Sequence, residues 1–178
     1  RHLLANAAGY FSVNKFYGDL KSQGIPVAKD TLHEYLGHLE DAFLIRTVSV
    51  STGSERRRMV NPRKAYPVDP GLIPVFDPAG GSNVGHALET CVMLELERRG
   101  AEVSYVRNET GSGVDFLVRY PDGRRELLQV CADMEAPDVR DRELRGLVDA
   151  LAEKKNVKAH LIVLEPERPR DLPDAVHW

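Results

Sequence analysis

The stretch GVDFLVRYPDGRRELLQVCAD, residues 113–133, constrains the fold of this chain more than any other. It holds two runs rich in aliphatic and β-branched residues, separated by Asp122-Gly123. That dipeptide supplies the left-handed backbone of a tight hairpin turn, so the two runs pair as antiparallel strands. AEVSYVRN, residues 101–108, reads as a further strand before them. DVRDRELRGLVDALAEKKN then reads as a charged amphipathic helix, and VKAHLIVLE as a continuous apolar strand of the buried type. A strand that follows a helix in this way joins its sheet by a crossover. With the helical pattern of NVGHALETCVMLELERRG, residues 83–100, in front, the order is αβββαβ. It predicts a mixed sheet flanked by helices.

The first half has another rhythm. RHLLANAAG reads as a short helix ended by Gly9. NKFYGDLKSQG, residues 14–24, reads as a second helix with Asn14 as N-cap and Gly24 past its end. In IPVAKDTLHEYLGHLEDAFLI, Ala28, Leu32, Tyr35, Leu36, Leu39 and Phe43 recur at spacings of three and four, which predicts a third helix. LIRTVSVS and NPRKAYPVD read as strands, joined by TGSERRRM as a turn that carries a basic run. Three helices followed by a two-stranded ribbon is the order of a winged helix. A helical tail, PGLIPVF, leads to DPAGGSN, which has the composition of a linker. The expected organisation is α+β or α/β, with one domain over residues 1–78 and another over residues 79–178.

Composition bounds the function. The 178 residues suffice to bury a core, and 29% charged with 42% hydrophobic residues is ordinary for a globular chain. A net charge of −3 leaves no global basic field, so nucleic-acid binding would need a local patch. No run is long and apolar enough to span a membrane, and the expected setting is the cytoplasm. Cys91 and Cys131 both lie in apolar runs and are expected as buried free thiols.

The basic patch would be Arg56, Arg57 and Arg58 on the turn, then Arg63 and Lys64 on the strand after it, with Lys29 opening the third helix. Such a run on a ribbon tip neutralises phosphates without reading bases. The third helix itself carries Asp30, Glu34, Glu40 and Asp41, which repel a polyanion and suit a protein-docking surface better. GGSNVGHA, residues 80–87, has two glycines at the spacing of a phosphate-binding loop. His86 and Ala87 stand where the lysine and the hydroxyl would be, so no ATP site is expected in this stretch.

The αβββαβ order also has places for chemistry. A Mg²⁺-dependent phosphodiesterase draws one acid from the first helix, one from the second strand, and an acid-x-lysine tripeptide from the third. Residues two apart on a strand share a face, so that acid and lysine reach one cleft. The chain offers Glu89 and Asp115 as candidate metal ligands, but Gln129-Val130-Cys131 at the tripeptide. Gln129 can still offer a neutral oxygen; Cys131 brings no cation. Electrostatic and acid–base groups are each worth roughly two to three orders of magnitude in rate, so activity should fall close to background. Arg119 shares the face of Asp115 but lies roughly 13 Å along the strand, and Arg107 is the other cation at hand.

Thr31-x-x-x-Tyr35-Leu36-x-x-Leu39-Glu40, Tyr66-x-x-Asp69-x-Gly71-Leu72 and Glu89-x-x-Val92-x-x-Glu95-Leu96, taken together, resemble a large prokaryotic group. In it a P-loop AAA-type ATPase module is followed by a C-terminal domain of unknown function. The resemblance covers nearly the whole chain. It implies a winged helix followed by a restriction-endonuclease-like fold, with ATP bound only in a module N-terminal to Arg1, where the sequence opens without Met and in mid-helix pattern. Nuclease-like members carry Glu-x-Lys where Gln129 and Cys131 stand here. The expected function is therefore a catalytically degenerate target-binding module that acts beside its ATPase module, with DNA as one candidate target and a protein as another. The alternatives are a metal-dependent nuclease with a displaced cation, and a protein-interaction or oligomerisation module.

Overall fold

The computed structural model describes residues 1–76, 83–107, 113–165, 168 and 172–178. It is an α+β protein with two sheets, divided into two compact units, Arg1–Asn83 and Val84–Trp178. The boundary expected at residues 78 and 79, and most of the linker around it, lie outside the described residues.

The first unit runs α1 (His2–Ala5), β1 (Tyr10–Phe11), α2 (Val13–Ser22), α3 (Lys29–Asp41), β2 (Ile45–Val48), α4 (Glu55–Val60), β3 (Arg63–Pro67) and α5 (Leu72–Phe76). Its antiparallel sheet has the order β1-β3-β2, and Leu4, Val13, Leu36 and Ile45 form the buried core against it. α1 stops well before Gly9: the Asn6 side chain donates to the His2 carbonyl and closes the last turn. α2 begins two residues earlier than an Asn14 cap implies, because the Ser12 hydroxyl, not Asn14, accepts from the Lys15 N–H (3.4 Å). α3 ends at Asp41, where Phe43 turns into the left-handed region (φ 53) and the Leu44 N–H closes onto the Leu39 carbonyl.

The connection between β2 and β3 corrects the expected turn. Ser54 caps a short helix by accepting from the Arg57 N–H (3.3 Å), and Glu55 in the first turn pairs with Arg58 at 2.9 Å. SERR is thus a helix start, in which a cap and an acidic first turn satisfy the free N–H groups and the helix dipole.

The second unit runs α6 (Val84–Arg98), β4 (Glu102–Arg107), β5 (Gly113–Arg119), β6 (Arg125–Cys131), α7 (Pro137–Glu153), β7 (Lys158–Val163) and β8 (Val176–His177). Its sheet has the order β4-β5-β6-β7-β8. β4, β5 and β6 are antiparallel neighbours, whereas β7 lies parallel to β6 and β8 parallel to β7. This is the mixed sheet that the crossover helix requires. Gly123 takes φ 85 in the β5–β6 turn, where a side chain would be strained. Leu117, Leu127, Cys131, Ala159 and Leu161 pack with Leu144, Leu147 and Ala150 of α7 in one core. β1 and β8, of two residues each, were not expected; strands so short carry no readable period.

Candidate functional site

The hairpin brings Asp115 of β5 beside Gln129 of β6. Phe116 faces Leu128 and Leu117 faces Leu127 in register, so the next pair toward the open end is Asp115 and Gln129. By alternation both lie on the α7 side of the sheet, with Leu117, Leu127 and Cys131. α7 comes close to β5 there. A Cβ on Gly146 would lie 3.0 Å from the Gly113 carbonyl oxygen, so a side chain there would push the two backbones apart by a few tenths of an ångström. Glu143, Gly146, Leu147 and Ala150 share one helix face at spacings of three and four. The close packing of Gly146 therefore delivers Glu143 over Asp115 and Gln129.

The three side chains interlock. Gln129 Nε2 donates to Asp115 Oδ2 (2.9 Å) and to Glu143 Oε2 (2.6 Å). Gln129 Oε1 accepts from the Asp115 N–H (3.2 Å), and the Val130 N–H donates to Asp115 Oδ2 (3.0 Å). Glu143 Oε1 takes Nε (3.0 Å) and Nη2 of Arg142. Gln129 is buried, and Asp115 and Glu143 are partly so. A carboxamide nitrogen with two hydrogens thus stands between two carboxylates.

The amide of Gln129 is already engaged on both sides. The amide oxygen that could ligate Mg²⁺ is committed to the Asp115 N–H, and the amide nitrogen is what faces the carboxylates. Among the described residues no group of three or more His, Cys, Asp or Glu side chains is arranged to hold a metal ion. Glu89, the other expected ligand, is buried on α6. The buried α6 residues Met93 and Leu96 are not part of the core that Leu117, Leu127 and Cys131 build with α7.

Cys131 is buried next to this network, and its Sγ donates to the Asp133 carbonyl (3.0 Å). Burial pushes the thiol pKa up, and the Glu143, Asp133 and Glu165 carboxylates push the same way. It is a neutral thiol and supplies no cation to the network. Arg119 does not replace that cation: it is paired with Glu102 of β4 at 2.6 Å. Arg107 stands opposite Gly113, at the same end of β5 as Asp115. Arg142, unforeseen from the sequence, is the cation bound to the network itself, and Glu143 raises its pKa. The spacing Glu143-x-x-Gly146-Leu147-x-x-Ala150 was the available signal for this face of α7. Cys91 is exposed, contrary to expectation, because its position on α6 turns it away from the buried stripe of Glu89, Thr90, Met93 and Leu96.

The expected basic patch is only partly available. Arg56, Arg57 and Arg58 are exposed on α4, and among the described residues Arg56 and Arg57 have no side-chain partner, whereas Arg58 is tied to Glu55 and to the Thr52 carbonyl. Arg63 is exposed and its guanidinium lies 3.5 Å from the Thr47 hydroxyl. Lys29 is exposed at the start of α3. Lys64 departs from expectation: it is buried, with Nζ 5.6 Å from the Tyr10 ring centre, because it lies on the central strand of its sheet, where Lys64 to Pro67 are all buried. Glu40 of α3 accepts from the Thr47 hydroxyl at 2.6 Å.

No family model matches the chain, and no solved structure does. It is similar to the uncharacterized protein MJ1544 of Methanocaldococcus jannaschii, with 29% identity over 174 residues. That similarity covers 94% of this chain and 38% of the relative. An uncharacterized protein of Haemophilus influenzae is 29% identical over 136 residues, covering 76% of this chain and 33% of that protein. The chain thus spans well under half the length of the curated relatives it matches. No helix among the described residues is long and apolar enough to cross a membrane.

Proposed function

We propose that this chain is a catalytically degenerate, restriction-endonuclease-like module joined to a winged helix, and that it holds double-stranded DNA for an AAA-type ATPase module of the same protein in the cytoplasm. The observation that carries the loss of catalysis is the Gln129 carboxamide bridging Asp115 and Glu143. It fills the place of a metal with a neutral group, and the neutral thiol of Cys131 follows where a lysine belongs. The strand order β1-β3-β2 of the first unit and the parallel β6–β7 pair after an antiparallel hairpin support the two fold assignments. The ATPase partner rests on the motif resemblance alone. The DNA role rests on Arg56 and Arg57, which no carboxylate of the described residues neutralises. Salt-titrated fluorescence anisotropy with a duplex should show binding that weakens steeply with salt, with a slope of about −0.9 per phosphate contact. Arg56→Ala and Arg57→Ala together should flatten that slope. Wild-type binding absent at low salt would refute the DNA role.

One observation favours a second reading, a living nuclease with a displaced cation: Arg142 is held at the network by Glu143. Plasmid incubated with Mn²⁺ separates the two. The degenerate module leaves it intact; nicking that disappears in both Asp115→Ala and Arg142→Ala would establish the nuclease instead.

A further inference from the structure

The connection between β2 and β3 carries an unusual surface. Met59 is 80% exposed and Val60 61% exposed, at the end of α4. Arg56 precedes them by three and four residues, so Met59, Val60 and Arg56 share one face of the helix. Arg57 lies one turn before Val60 and borders the same face. On the other side Glu55 and Arg58 neutralise each other. The outward face of α4 is thus two adjacent apolar side chains flanked by two unpaired cations.

We infer that α4 acts as an apolar wedge on duplex DNA: Arg56 and Arg57 take phosphates along the minor groove while Met59 and Val60 enter it and partly unstack a base step. The inference rests on the DNA reading above and adds the kind of duplex that is bound. Charge complementarity selects a polyanion, and the absence of any aromatic ring on α4 disfavours single strands, which are held by stacking platforms. Six residues make a helix about 9 Å long, too little apolar surface for stable seating in a bilayer. A minor groove roughly 6 Å wide admits individual side chains, and Met is among those that proteins insert between bases. Unstacking costs a few kcal/mol per step and least at flexible pyrimidine–purine steps and at mismatches. The preferred target is therefore a duplex with such a weak step, independent of the surrounding sequence.

The test uses the whole chain and duplexes with 2-aminopurine beside a mismatch, beside a TA step, or in fully paired G·C-rich DNA. Wild-type protein should raise the 2-aminopurine emission at the mismatch and bind that duplex most tightly. The double variant Met59→Ala, Val60→Ala should lose the emission change and about tenfold in affinity for the mismatched duplex, while its salt slope stays that of wild type. Both side chains are exposed, so the variant is expected to fold. Duplex binding with no change in emission, or a double variant that binds as wild type does, overturns the wedge and leaves the DNA reading standing. No duplex binding at low salt removes both. Binding to phosphatidylserine vesicles in place of DNA, lost in the same double variant, would reassign the face to a membrane surface.

Discussion

A carboxamide between two carboxylates resolves a charge problem. Asp115 and Glu143 face each other across Gln129, and each receives one N–H from it. Replacing Gln129 with Glu would remove both donors and add a third negative charge. Buried polar groups deprived of partners cost roughly 1–3 kcal/mol, and charged ones more. Gln129→Glu is therefore expected to lower the urea midpoint of the second unit, followed by the fluorescence of Trp178, the one tryptophan of the chain. Millimolar Mg²⁺ should restore much of that loss by bringing the cation the three acids then lack, and should leave wild type unmoved. A wild type that gains as much from Mg²⁺ as the variant would show that the amide does not replace a cation. Two members of this network were legible in the sequence, because the Asp122-Gly123 turn fixes the strand register and so the pairing of Asp115 with Gln129. Glu143 was only half legible: the three-and-four spacing marks its helix face, but its place over Asp115 depends on the approach of α7 to β5 at Gly146, which is a tertiary contact.

At the scale of elements, the long periodic segments were readable and the ends and short pieces were not. α6, α7 and the β5–β6 hairpin have enough turns or alternations to declare their period, and the crossover from β6 to β7 follows from their order. α4 has six residues, and its cap and acidic first turn are what make it a helix rather than a loop. Caps can be tested directly at α2. Ser12 accepts from the Lys15 N–H, whereas Asn14 lies inside the first turn. Ser12→Ala is expected to cost about 1 kcal/mol, seen as faster hydrogen exchange of the α2 amides, and Asn14→Ala much less. Equal effects of the two substitutions would return the cap to Asn14, where the sequence alone places it.

At the scale of the whole molecule, proton uptake near neutral pH falls to the histidines, and the environment of His160 of β7 shifts its pKa. Its ring stacks on His177 of β8 with centres 5.1 Å apart, and its Nε2 is buried, 3.8 Å from Glu126 Oε1 of β6. Burial lowers the His160 pKa below 6.5; Glu126 opposes this, and the charges of His177 and Lys158 add to it. The unfolded chain thus binds a proton at a pH where the folded chain does not. Stability from this group is fully present above about pH 6.5 and is lost as pH falls through the lower, folded value. Urea midpoints read from Trp178, which directly follows the β8 residue His177, should therefore drop between about pH 7 and pH 5. His160→Gln, which fills the site with a group that does not titrate, should flatten that drop while leaving the Mg²⁺ response of Gln129→Glu unchanged. An undiminished drop in His160→Gln would assign the proton to one of the other five histidines, and His177→Gln, which removes the stacked neighbour, is the next variant to measure.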